Sequence, residues 1–200
     1  MKDMEVRSRS AAWTVTADMW APHNLKMNLI KNPCALEDFK HWTIDENGGD
    51  RWKVEDLPGE HGEPFPNPAV TKYFVTSHES CKKSQLIDLN NEGFSAAVMD
   101  KFQPAIVITD WYGARKDCGC RYELAIRLLC EKKRVLQEFI PPPVDIPKGS
   151  DCQWRYVMHS FSKYGPGVRY ISFQHGGKDT QNWAGWYGPR VTNSSVSIEL

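Results

Sequence analysis

Two stretches of this chain hold residues that can grip a sugar. The first is DWYGARKDCGC, Asp110 to Cys120, a polar loop between two strand-like runs, and it offers the carboxylate of Asp117 as an acceptor for ligand hydroxyls. Binding side chains favour loops carried on a rigid scaffold. The second is HGGKDTQNWAGWYGPRVTNSS, His175 to Ser195. There Gly176-Gly177 reads as a tight backbone, Lys178 to Asn182 as a polar tip, and Trp183 follows directly. An indole face stacks on the C–H face of a pyranose, while an amide such as Asn182 or a carboxylate reads the hydroxyls. Each stretch also has a plainer reading. Asp117 can close an Asx turn before Gly119. Trp183, Trp186 and Tyr187 can all lie in the core, and Trp186 and Tyr187 are the natural anchors of the loop.

Nothing comparable marks a reaction centre. The histidines, at positions 23, 41, 61, 78, 159 and 175, show no HExxH or H-x-H spacing. There is no G-x-S-x-G, P-loop or strand-associated G-x-G-x-x-G, and no acidic cation loop. The residues therefore predict a non-enzymatic protein with neither metal nor cofactor. Basic and acidic residues balance at 25 each, so no general field favours phosphate backbones or anionic lipid. Nucleic acid and membrane drop out as expected partners. The N-terminal MKDMEVRSRSAAWTVTADMW has no apolar core of a signal peptide, and the six scattered cysteines read as reduced thiols. A cytoplasmic protein is the expectation, and with it an unglycosylated Asn193-Ser194-Ser195.

The elements that must position these residues are mostly short strands broken by turns. Residues 1–28 are weakly patterned and read as a poorly ordered lead, with a short helix possible over Leu25 to Ile30. His41 to Ile44 and Arg51 to Glu55, joined by Asn47-Gly48-Gly49-Asp50, read as a hairpin. Further strands are expected over Lys72 to Ser77, Ser84 to Leu89, Ala105 to Trp111, Arg121 to Leu129, Val135 to Ile140 and Val191 to Ile198. Gln153 to Phe161 and Val168 to Phe173 read as a pair. Gly93 to Lys101 is the clearest helix, with Ser95 as its N-cap. Many short strands with little helix predict an antiparallel β-sandwich.

The blocks ENGGDRWKVEDLPG (46–59), KYFVTS (72–77), KSQLIDL (83–89), DWYGARKDCGC (110–120), GPGVRY (165–170), FQHGGKDTQ (173–181) and WAGWYGPRVTNSS (183–195) are co-linear and specific. With them the chain resembles the F-box-associated (FBA) domain of the sugar-recognising F-box proteins, from Asn28 to the C-terminus. The resemblance implies an all-β, ten-stranded antiparallel sandwich of jelly-roll or galactose-binding-like form, with one or two short helices, over residues 29–200. It implies recognition of the chitobiose core of high-mannose N-glycans on misfolded glycoproteins. Such proteins serve as the substrate-recognition part of an SCF-type ubiquitin ligase in ER-associated degradation. Residues 1–28 lack a complete F-box, so the ligase adaptor is an expected partner only of a longer form. Carried over by position, the family's loop carboxylate matches Asp117 and its stacking Trp matches Trp183. Two aromatic positions of the pocket fall on Asn182 and His78, and a Lys found in some members falls on Ala184. The alternative is a protein-binding or scaffold module of the same fold that has lost sugar binding and ligase docking.

Overall fold

The computed structural model describes residues 27–200. In chain order these form β1 (Thr43–Asn47), β2 (Lys53–Asp56), β3 (Lys72–Val75), β4 (Cys81–Asp88), α1 (Ala96–Phe102), β5 (Ala105–Gly113), β6 (Cys120–Leu129), β7 (Val135–Phe139), β8 (Val144–Ile146), β9 (Arg155–Phe161), β10 (Tyr170–Asp179) and β11 (Arg190–Glu199). One antiparallel sheet runs β1-β4-β10-β6-β7, with β8 also on β6, and the other runs β2-β3-β11-β5-β9. The expected all-β sandwich is present. Its strands number eleven among the described residues rather than ten, because the prolines 141–143 separate the three-residue β8 from β7 along the same edge of β6.

Side-chain alternation builds the space between the sheets. On β6, Tyr122, Leu124, Ile126 and Leu128 are buried in the core. Arg121, Glu123 and Arg127 lie on the other face of that strand. β5 has no fully exposed residue: Ala105, Val107 and Thr109 are half-buried and the rest are buried, in keeping with its apolar run. Ile106 and Ile108 face the main core, while Trp111 packs outward in a second cluster. The long 57–71 loop covers that side. It sets Phe65 edge-on to Trp111 and Trp154, at 5.0 and 5.3 Å between ring centroids. The helix starts where its cap dictates, with the Ser95 hydroxyl accepting from the Val98 N–H at 3.3 Å.

Two expected strand pairs do not form. β1 pairs with β4 and β2 with β3, so the Gly48-Gly49 turn carries the chain from one sheet to the other. Its donors are spent on the β3–β4 loop: Gly48 N–H on Ser80 O, and Gly49 N–H on the Glu79 carboxylate. Trp42 and Trp52 then both reach the inter-sheet core. Similarly, β9 pairs with β5 while β10 lies between β4 and β6 in the opposite sheet. A turn signature fixes a reversal of direction but not the sheet that receives the next strand. Gly176-Gly177 is strand too, not loop. A Cβ at either position would stand 1.9 Å from a neighbouring strand's carbonyl, so only glycine lets the backbones approach. Of the expected Leu25–Ile30 helix, residues 27–30 are not helical. Asn28 instead bonds Ser194 O and the Val196 N–H beside the β11 bulge. Most of the expected lead, residues 1–28, lies outside the described residues.

A polar cluster sits between the sheets. Asp110 of β5 accepts from Ser194 Oγ of β11 at 2.6 Å and from the Tyr122 hydroxyl of β6. His175 Nδ1 of β10 lies 2.7 Å from Asp110 Oδ2, and its Nε2 lies 2.7 Å from Lys83 Nζ of β4. All five residues are buried. The Lys83 ammonium lies 3.1 Å from the Trp42 ring centroid and 3.7 Å from that of Phe74. Burial keeps His175 neutral, with its pKa lowered to about 4, and pushes Lys83 well below the usual lysine range. With a neutral imidazole, Nδ1–H donates to Asp110 and Nε2 accepts from Lys83. That tautomer gives every group in the row a partner.

Candidate functional site

Strand register brings five loops to one end of the sandwich. Asn47 of β1 lies opposite Cys81, Cys81 opposite Gly177, and Gly177 opposite Tyr122 in one sheet. In the other, Lys53 and Arg190 lie opposite Val75, and Arg190 opposite Gly113. The β1–β2, β3–β4, β5–β6, β8–β9 and β10–β11 loops therefore meet. The 57–71 loop returns to the same end, where Arg190 holds it through the carbonyls of Pro58 and Glu60, and the Lys116 N–H bonds His61 O.

Asp117 lies in the β5–β6 loop and is gripped by its neighbour. Arg115 Nε and Nη2 donate to the two carboxylate oxygens at 2.8 and 2.9 Å, a planar two-point pair. This pairing holds the Asp117 carboxyl below its ordinary pKa, so it stays ionised. His61 Nε2 stands 3.7 Å from Asp117 Oδ2. The Arg115 side chain is 9% exposed, against 31% for that of Asp117. The same guanidinium lies 4.3 Å from the ring centroid of Tyr187 in the β10–β11 loop.

Trp183 occupies that loop and is 38% exposed. Its indole meets Tyr187 edge-on, at 5.5 Å and 88°, and Lys148 Nζ of the β8–β9 loop stands 4.8 Å from the ring centroid. Polar ties fix the backbone around it. Asp179 Oδ1 accepts from the N–H groups of Gln181 and Asn182. Thr180 N–H bonds Gly119 O, and Gly119 N–H bonds the Gln181 side chain, which joins the loops of Asp117 and Trp183 directly. Beyond Trp183, Gly185 N–H donates to Asp50 and Gly185 O accepts from Ser77 Oγ, each at 2.6 Å. Trp186 Nε1 donates to Arg51 O. Trp186 anchors the loop while Trp183 faces outward, so the three aromatics do not share the core.

The sequence-derived residues are thus brought to one end, with unlike roles. Asp117 and Trp183 are linked through Arg115 and Tyr187. Ala184 is exposed beside Trp183. Asn182 takes the left-handed conformation, φ 55°, which asparagine adopts more readily than an aromatic residue. His78 is engaged by its own neighbours: Nδ1 lies 3.2 Å from Ser77 Oγ and 3.7 Å from Asp50 Oδ2, and its ring packs on Gly49. Sequence reasoning passed over Arg115, His61 and Lys148 as members of the cluster and took Tyr187 as an anchor of the loop. Only Arg115 carries a local signal, an arginine two residues before a loop aspartate. His61 and Lys148 arrive from distant loops.

The F-box associated region family matches residues 20–198. The chain belongs to this family. As an F-box associated chain it is 59% identical to F-box only protein 6 of Bos taurus over 175 residues, 88% of this chain and 66% of that protein. It is 58% identical to the human F-box only protein 6, covering 88% of this chain and 60% of that protein. Against human F-box only protein 44 it is 54% identical, covering 88% and 69%. The chain thus spans about six- to seven-tenths of the length of these curated relatives. Among solved structures, TmCBM61 in complex with beta-1,4-galactotriose aligns with a TM-score of 0.51 at 15% identity, over 86% of this chain and 99% of that one. That likeness concerns the fold alone. Among the described residues no His, Cys, Asp or Glu group of three or more can hold a metal ion, and no helix is long and apolar enough to cross a membrane.

Chemically, the F-box associated loop end offers one outward ring face, one ionised acceptor with lone pairs beyond those used by Arg115, and a lysine ammonium beside the ring. These suit a neutral polyhydroxylated ligand with an apolar face.

Proposed function

We propose that this chain binds N-linked glycans and does not transform them. The observation carrying the proposal is the pairing of an outward indole, Trp183, with a fixed, ionised carboxylate, Asp117, on tied loops at one end of a rigid sandwich. The ligand is the chitobiose core of high-mannose glycans on misfolded glycoproteins. Trp183 stacks on a pyranose face and Asp117 accepts from its hydroxyls or amide. Asn182, Ala184 and His78 border the same surface. Membership of the F-box associated family and the names of the relatives support a role as the substrate-recognition part of an SCF-type ubiquitin ligase. The setting is the cytoplasm, in ER-associated degradation, and an F-box in a longer form docks the adaptor.

Retention on an immobilised, denatured high-mannose glycoprotein tests this. The chain should be retained, and prior removal of the glycan at its chitobiose core should abolish retention. Equal retention on the deglycosylated protein would favour the second reading, a protein-binding module of the same fold. One observation favours that reading: the His78 ring is engaged by Ser77 and packed on Gly49.

A further inference from the structure

We infer that Arg115 is the positioning residue of the site: one guanidinium sets both the carboxylate of Asp117 and, through Tyr187, the indole of Trp183. The inference rests on the glycan-binding reading for its consequence, though not for its geometry. Arg115 is 7% exposed, so it is not itself a surface contact for a sugar. Its edge is spent on Asp117, through Nε and Nη2. Its centre lies 4.3 Å from the Tyr187 ring centroid, and Tyr187 stands edge-on to Trp183. The remaining nitrogen, Nη1, lies 3.6 Å from Glu60 of the 57–71 loop. One side chain thus touches residues from three loops, and the two proposed sugar contacts lie on different ones.

A planar fork has a consequence that a point charge lacks. It fixes the plane of the Asp117 carboxylate and so the direction of the lone pairs left for a ligand. Lysine in its place keeps the charge but can neither hold both oxygens in one plane nor set a planar guanidinium over Tyr187. The titratable and charged groups around this pair include His61, 3.7 Å from Asp117 Oδ2, Glu60, and the buried Arg190. All remain when Arg115 is replaced.

The test compares Arg115→Met and Arg115→Lys with the wild type in two measurements: chitobiose affinity across pH by tryptophan fluorescence, and titration of the Asp117 carboxyl by carbon NMR without sugar. Arg115→Met should weaken binding about tenfold or more, with Arg115→Lys between it and the wild type. The pH at which binding is half lost should rise in Arg115→Met, because the freed carboxyl titrates higher. A purely structural residue would lower the amount of folded protein without moving that midpoint. Wild-type affinity and an unmoved Asp117 titration in folded Arg115→Met would overturn the inference. If the wild type binds no chitobiose, the glycan reading fails, and the NMR titration alone decides the role of Arg115: an upward shift supports it and no shift overturns it. If Arg115→Met does not fold, Arg115→Lys and Tyr187→Leu decide. Each should weaken binding at least threefold or so while remaining folded, and wild-type affinity in both would overturn the inference.

Discussion

The molecule holds two clusters of the same ingredients, one closed and one open. Between the sheets, Asp110, His175, Lys83, Tyr122 and Ser194 join a carboxylate, a cation and rings with every member buried. At the loop end, Asp117, Arg115, Tyr187, Trp183 and Lys148 join a carboxylate, two cations and rings, with the acid and the indole reaching solvent. The closed cluster pairs its polar groups with one another and with buried rings. It can tie β4, β10, β6, β5 and β11 together, and it has nothing to offer a ligand. The open cluster spends only part of the Asp117 carboxylate on Arg115 and leaves an indole face outward. Burial, more than residue type, separates a network closed on itself from one with groups left to meet a ligand.

The comparison breaks most visibly at Asp110. Asp110→Ala leaves His175, Tyr122 and Ser194 without their common partner and takes away the nearby countercharge of Lys83, and removing one member of a buried charged network costs about 3–5 kcal/mol. Urea denaturation should show that loss, while the fraction still folded keeps its affinity for chitobiose. An equal loss of affinity per folded molecule would mean that the two clusters are not separate.

Acid should weaken the closed cluster next. His175 titrates near about 6.5 in an unfolded chain and at about 4 when folded. Between those values the unfolded state binds a proton that the folded state does not. This contribution is therefore complete above about pH 6.5 and is lost as pH falls toward 4, a drop of about 3 kcal/mol. Urea midpoints measured over that window should fall in the wild type and equally in Trp183→Ala. An imidazole of His175 that titrates near 6.5 by NMR would contradict this.

The open cluster should show the inverse behaviour. Trp183→Ala and Asp117→Ala should each abolish retention on the glycoprotein while changing stability by only about 1 kcal/mol or less, as read from thermal melts beside the binding assay. The smallest effect belongs to an exposed ion pair outside both clusters. Lys82 lies 3.7 Å from both Glu46 and Glu123, and Lys82→Ala should alter stability by no more than about 0.5 kcal/mol and leave binding unchanged.

How much of this was legible in the sequence follows the range of each signal. Alternation over Arg121 to Leu129 and the cap at Ser95 act within a few residues, and both elements stand where expected. Pairing between strands is non-local, so the 47–50 turn and the 162–167 loop, expected to join paired strands, join the two sheets instead. Asp117 and Trp183 stood out by residue type and context. Their linkage did not, because it runs through Tyr187 and the register of β6 and β10, and because His61 and Lys148 come from distant loops. His175 carried no recognisable spacing. Its partners Asp110, Lys83 and Trp42 lie on three other segments.

The central claim is that a solvent-facing indole and a fixed carboxylate at the loop end bind sugar without changing it. Fluorescence titration of the folded chain with chitobiose, beside Trp183→Ala and Asp117→Ala, tests it most directly. The expected result is a saturable change in the wild type that neither variant shows, with the sugar recovered intact. A wild type that gives no change, or a Trp183→Ala variant that binds as well as the wild type, would contradict it.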